Sequence, residues 1–273
     1  MKSAVYIRAI VAFLITISAG YYQRLTGPTH PINIDFEWKG SVLSGKLTRN
    51  HGEDSRQPIE ITVPDTSISA VLIYRRFNTD DQWIGMKMTR EDDILHASLP
   101  HQPPAGKLEY FIQLKKGDNL QILPVDRLVV TRFTGVVPSP ILISHIIFMF
   151  LAMFLSNWAG LEAISKNERM YKLALWTTGL LFLGGMILGP VVQKFAFGEY
   201  WTGVPFGIDL TDNKTLVTMI TWIVAAWLSY KRKMSARTWI IIAAIVLLLV
   251  YSIPHSMMGS ELDYETGKIG TGE

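Results

Sequence analysis

The chain of 273 residues contains no cysteine. It therefore forms no disulfide, attaches no haem through thioethers and performs no thiol exchange. Charged residues are also scarce: they make up 18% of the chain and leave a net charge of +3. That small net charge comes largely from the loops between apolar runs, which gives no case for nucleic-acid binding. Phosphate-cradling glycine loops, zinc-protease helices and serine nucleophile elbows are missing, and no internal repeat is evident. No general acid, base or nucleophile stands out, so hydrolytic or transferase chemistry has no support in the sequence.

Apolar residues are plentiful, at 49% of the chain with a mean hydropathy of +0.23. They come in long runs, which places the chain among α-helical integral membrane proteins. In residues 1–22, Lys2 and Arg8 precede an apolar stretch that fits a signal peptide or a signal anchor. The small residues Ser18-Ala19-Gly20 suit cleavage, but the spans that follow favour an anchor, the first transmembrane helix. Runs at 138–158, 173–192, 216–228 and 239–253 bring the expected number of transmembrane helices to five, the last two short.

Lys166, Arg169 and Lys172 lie between the second and third helices, and Lys231, Arg232, Lys233 and Arg237 between the fourth and fifth. Positive loops stay inside, so the amino terminus is expected inside a bacterial-type inner membrane. Residues 23–137, the loop at 193–215 and the C-terminal tail are then outside, or periplasmic. The expected domains are the anchor (1–22), an extracytoplasmic β-domain (23–137), a four-helix membrane bundle (138–255) and an outer tail (256–273).

The β-domain announces itself through alternating runs such as Ile59-Glu-Ile-Thr-Val, Ala70-Val-Leu-Ile-Tyr and Leu108-Glu-Tyr-Phe-Ile-Gln-Leu. Turn signals at Asn78-Thr-Asp-Asp, Pro103-Pro-Ala-Gly and Lys116-Gly-Asp-Asn separate them. About seven short strands suit an all-β sandwich of immunoglobulin or fibronectin type III kind. Trp38, Tyr74, Trp83, Tyr110 and Phe111 read as its core in preference to a ligand groove. His30, His51, His96 and His101 lack metal-ligand spacing and read as solvated. Gly135-Val-Val-Pro-Ser-Pro leaves little slack before the second helix, so the domain is expected close to the membrane.

In the membrane half, polar residues persist on one side. His145 lies near the start of the second helix and His255 at the end of the fifth. Between them runs an aromatic, glycine-rich loop expected to pack along the membrane surface. Two neutral imidazoles on different helices can hold a haem iron from opposite faces, with Met257 and Met258 as alternative ligands. A quinone or bare metal ion is a less favoured occupant, and interfacial histidines bonded to backbone or water are the plain alternative. Thr211 or Asp212 suits capping of the fourth helix, which leaves Asp209 freer to support a ligand. Gly184-Gly185 allows close helix approach, and Gly189-Pro190 is expected to stop the third helix.

The run Ala196-Phe-Gly-Glu-Tyr-Trp, then Asp209 ahead of Lys214-Thr215, then Ile220-Thr-Trp-Ile-Val-Ala-Ala-Trp-Leu resembles the tryptophan-rich WWD segment of haem-handling cytochrome c assembly proteins. The likeness covers the C-terminal half: histidine, helix pair, loop, helix pair, histidine. It departs from the family where Gly203-Val-Pro-Phe-Gly-Ile-Asp carries no tryptophan beside the aspartate. The resemblance implies haem b on His145 and His255, with Tyr200, Trp201 and Phe206 as platform and Asp209 as polar support. Its function would then be electron transfer or haem delivery in cytochrome c biogenesis. The competing expectation is a non-catalytic assembly or structural subunit of a membrane complex. In that case membrane lipids surround the helices and the sandwich docks a protein partner at the outer face.

Overall fold

The computed structural model describes residues 2–254 and 259–272. Its helical part has five rods. These are α1 (Lys2–Thr26), α2 (Ser139–Ile164), a composite third rod, α5 (Leu210–Tyr230) and α6 (Ala236–Ser252). The composite rod joins α3 (Arg169–Leu181), a π-helical turn (Phe182–Leu188) and α4 (Gly189–Phe197). Three stretches, Ser3–Thr26, Ser139–Ile164 and Arg169–Phe197, are long and apolar enough to cross a membrane. α6 is apolar but has 17 residues.

The third rod does not stop at Gly189-Pro190, contrary to the sequence expectation. Proline lacks the N–H that an α-helix requires, and its ring crowds the carbonyl one turn back. The π turn absorbs that mismatch: the Gly189 N–H reaches back to the Gly184 carbonyl, and the helix continues to Phe197. The connection to α5 is accordingly shorter than the expected 193–215. Gly185 faces α5 so closely that a methyl group there would lie 2.9 Å from Thr215 Cγ2.

α1 is fastened to the bundle by polar contacts as well as apolar ones. Arg8 Nη2 donates to Glu162 Oε2 at 2.8 Å, and Trp158 Nε1 donates to Glu162 Oε1 at 3.0 Å, the Glu162 side chain being fully buried. Asn157 Nδ2 donates to Thr16 Oγ1, and Gln23 Nε2 to the Tyr251 carbonyl, both at 3.0 Å. Such bonds carry particular weight where no water competes.

The β-domain comprises eleven strands in two sheets. One sheet has the order β1 (Ile32–Trp38), β2 (Ser41–Leu47), β4 (Gln57–Thr62), β8 (Ile94–Leu99) and β7 (Thr89–Glu91). The other has β3 (Asn50–His51), β11 (Val129–Phe133), β9 (Lys107–Lys116), β5 (Ser69–Arg76) and β6 (Ile84–Lys87), with β10 (Asn119–Leu123) also paired to β9. Every pairing is antiparallel except β3 with β11. The count exceeds the expected seven or so because β3, β6 and β7 have four residues or fewer, too short for alternation to reveal.

Residues of both sheets, among them Leu43, Ile59, Leu95, Leu72, Leu108 and Phe133, form one buried cluster. Tyr110 belongs to it, and Trp38 and Tyr74 pack at its margin. Trp83 does not: it is 38% exposed, with the Arg75 guanidinium 4.5 Å above its ring. The turn signals hold, with positive φ at Asn78, Ala105 and Gly117. His51 departs from the solvated reading. The parallel pairing of β3 with β11 buries it edge-on against Phe133, and its Nε2 bonds to Ser55.

Arg8→Ala would leave the buried Glu162 carboxylate without its cation. It is expected to lower the stability of the detergent-purified protein by about 3 kcal/mol, with Glu162→Gln costing less. Denaturant titration followed by tryptophan fluorescence reads both, and equal, negligible changes would contradict the contact's importance.

Candidate functional site

Two contacts hold the β-domain on one end of the helices, and a helix turn beside them completes the site. The first is at Gly135, just past β11. Its N–H donates to the Ala196 carbonyl at 2.9 Å, and a methyl group there would run into the Phe195 carbonyl, so only glycine allows this approach.

The second is a C-terminal hairpin, β12 (Ser260–Leu262) with β13 (Ile269–Thr271), where the sequence indicated only an outer tail. The Leu262 N–H donates to the Ala105 carbonyl at 3.1 Å. Tyr264 Oη donates to the Lys107 carbonyl and to Gln102 Oε1, each at 3.0 Å. Lys107 pairs with Glu261; burial pulls the Lys107 ammonium below its ordinary pKa, and the bond to Glu261 acts against that pull.

The helix turn is the first turn of α5, in the run Asp209-Leu-Thr-Asp-Asn-Lys214. The N-cap is Asp209: its Oδ1 accepts from the Thr211 and Asp212 N–H groups at 2.8 and 3.3 Å. The expectation of Thr211 or Asp212 as cap is thereby corrected. Asp212 instead holds the loop before it, its Oδ2 accepting from the Thr202 and Gly203 N–H groups at 2.6 and 3.0 Å. Asn213 Oδ1 accepts from the Val204 N–H, and Lys214 Nζ donates to the Ile253 and Pro254 carbonyls beyond the end of α6.

These contacts border a partly open chamber of about 140 Å³. Arg132 of β11 contributes from the β-domain, and His145 and Met149 from α2. Gly185, Pro190 and Gln193 form the wall along the third rod, and Asp209, Asp212 and Ser260 complete it. His145 Nδ1 lies 2.9 Å from the Gly184 carbonyl within the π turn. A carbonyl only accepts, so Nδ1 carries the proton and Nε2 keeps its lone pair. Asp209 Oδ2 accepts from Thr202 Oγ1 and Ser260 Oγ, and Gln193 Nε2 donates to Asp212 Oδ2. Arg132 is 7% exposed, and its enclosed Nη1 has no hydrogen-bond partner among the described residues. Burial lowers the Arg132 guanidinium pKa, while the charges of Glu261 and Asp209 raise it.

No family model and no curated protein matches the chain. The site is therefore read from its own chemistry.

Of the residues singled out in the sequence, His145 and Asp209 meet at the chamber. Tyr200, Trp201 and Phe206 line a separate depression beside the β12–β13 hairpin. Tyr200 lies under Lys194 Nζ, Trp201 Nε1 donates to the Val204 carbonyl, and Phe206 is 81% exposed. His255, with Met257 and Met258, lies outside the described residues. Arg132, Gln193 and Ser260 were not anticipated. The signal for Arg132 was a basic residue ending a strand three positions before the glycine that abuts the helices.

The described residues fit a porphyrin only in part. His145 has a suitable free nitrogen, but the aromatic platform is elsewhere, and 140 Å³ falls short of the range of roughly 300 Å³ and upward of ordinary small-molecule pockets. Among the described residues, no group of three or more histidine, aspartate or glutamate side chains could hold a metal ion.

Asp209→Ala removes the cap and the acceptor for Thr202 and Ser260 together, for an expected loss of about 2 kcal/mol. Asp209→Asn keeps the capping oxygen and is expected to lose less. Thermal unfolding of the two variants in detergent gives the comparison.

Proposed function

We propose that the chain is a five-span membrane protein that captures a small polar ligand in the chamber between its outer β-domain and its helix ends. The observation carrying this reading is a cavity walled by ionisable residues from distant segments, the buried Arg132, Asp209 and Asp212 and the half-buried His145. Burying such groups costs stability, and a ligand that uses them accounts for their presence.

The five-span topology draws support from the connections far from the β-domain, which are short and carry Lys166 and Lys231 to Lys233. The contacts of Arg8 and Thr16 favour an anchor that stays in the bundle. Tyr200, Phe206 and Ile208, all exposed beside the helix ends, suit a headgroup-level belt. An immunoglobulin-like sandwich is supported by the strand orders β11-β9-β5-β6 and β4-β8-β7, which follow the pairing of that fold.

Haem handling is the second reading, favoured by the one nitrogen of His145 left free by Gly184. It requires His255 as partner. If it holds, haem titrated into the purified protein gives a b-type spectrum that both His145→Ala and His255→Ala abolish. Spectra unchanged by either substitution leave the small-ligand reading in place.

Because the chain has no cysteine, a single introduced cysteine reports its own position. Asn119→Cys is expected to react with a membrane-impermeant maleimide in intact spheroplasts, and Lys231→Cys only after lysis. The reverse pattern overturns the orientation. Thr215→Cys, at the chamber wall, is expected to react with a small thiosulfonate; an inert thiol there means the chamber is closed to ligands.

A further inference from the structure

Among the described residues, two atoms of chamber-lining side chains lack a partner, and they are of opposite charge type. Arg132 Nη1 is an enclosed donor with no acceptor. Its nearby acids are already committed: Asp209 accepts four hydrogen bonds and Glu261 pairs with Lys107. Asp212, also of the lining, gathers all its donors on Oδ2, from Thr202, Gly203 and Gln193. Its Oδ1 receives no hydrogen bond among the described residues, although the side chain is buried. The lining residues therefore include one with an unused cationic donor and one with an unused anionic acceptor, alongside Met149, Gly185 and Pro190, which add little polarity.

Resting on the reading of the chamber as a ligand site, we propose that its ligand is a small zwitterion, with an oxyanion on Arg132 and an ammonium group on Asp212. Size agrees: about 140 Å³ lies well below the roughly 300 Å³ of ordinary small-molecule pockets, so the ligand is small. Charge agrees too. Arg132 in the lining, with Lys214 close enough to Asp209 to interact electrostatically from the adjoining cavity, offsets Asp209 and Asp212, and a ligand with no net charge keeps that balance in a medium where surplus charge is costly. A plain anion satisfies Arg132 but approaches Asp212 with like charge. The zwitterion has two sources, a free amino acid or the headgroup of an ethanolamine phospholipid, and both present the same pair of groups.

The full chain carrying Thr215→Cys, in detergent, reports occupancy as slowed thiosulfonate labelling. Alanine and phosphoethanolamine are the zwitterionic probes, inorganic phosphate and ethanolamine their single-charge halves. Saturable protection by a zwitterion and none by either half at equal concentration is expected. Arg132→Gln and Asp212→Asn should each weaken that protection roughly ten- to a hundredfold, the loss of one charged hydrogen bond. Arg132→Lys keeps the charge in place and should stay closer to wild type, which separates lost recognition from lost folding. Protection in nanodiscs containing phosphatidylethanolamine, but not in phosphatidylglycerol nanodiscs, assigns the ligand to lipid; protection by alanine alone assigns it to an amino acid. Phosphate protecting as well as phosphoethanolamine, zwitterions binding the variants as they bind wild type, or no zwitterion protecting a reactive Thr215→Cys overturns the proposal. An unreactive Thr215→Cys instead removes the chamber reading beneath it.

Discussion

The first turn of α5 has to satisfy its own free N–H groups, hold the loop that precedes it and close the end of α6, and six consecutive residues do all three. Asp209 takes the helix N–H groups, Asp212 and Asn213 take N–H groups of the loop at Thr202, Gly203 and Val204, and Lys214 meets the carbonyls past the end of α6. A carboxylate at a helix N-terminus is favourable with the helix dipole as well as the hydrogen bonds, and a lysine at a helix C-terminus is its complement. Remove this turn and the floor of the chamber, the loop beside it and the seat of Ser260 lose their common support.

The π turn serves the same region from the other side. An uninterrupted α-helix with proline at position 190 would lose a hydrogen bond and gain a clash, and the widened turn relocates the ladder bond to the Gly184 carbonyl. That carbonyl has a second lone pair, which His145 uses. The backbone irregularity thus fixes the tautomer of the one described histidine at the site, and Gly184 and Gly185 allow α2 and α5 near enough to close the wall.

Much of this was legible from residue order. Apolar runs located the helices, alternation located the longer strands, and positive-φ turns fell where Asn78, Ala105 and Gly117 were expected to place them. What escaped reading depended on contacts between distant segments. Whether Asp209 or Asp212 caps α5 is decided by the path of the loop from Thr202, and both residues suit either role in isolation. His51 looked like a polar turn residue because a two-residue strand pairing in parallel leaves no periodic trace. The aromatic residues after Gly198 resembled a platform because their spacing says nothing of which depression they face.

The placement of Arg132 ties the β-domain to whatever the chamber does. An arginine at the end of β11 could have turned to water, yet it lies enclosed with its ring neighbour Phe197 of α4 at 5.5 Å. Gly135, three residues on, holds β11 against the same helix, so the cation cannot withdraw without the domain lifting from the bundle. The hairpin bonds at Ala105 and Lys107 oppose that lift from the other edge. A ligand engaging Arg132 and Asp212 together would add a bridge between the β-domain and α5, so that occupancy and the seating of the domain are linked equilibria. Ligand affinity then depends on every contact that seats the domain, including residues such as Tyr264 that never touch the chamber.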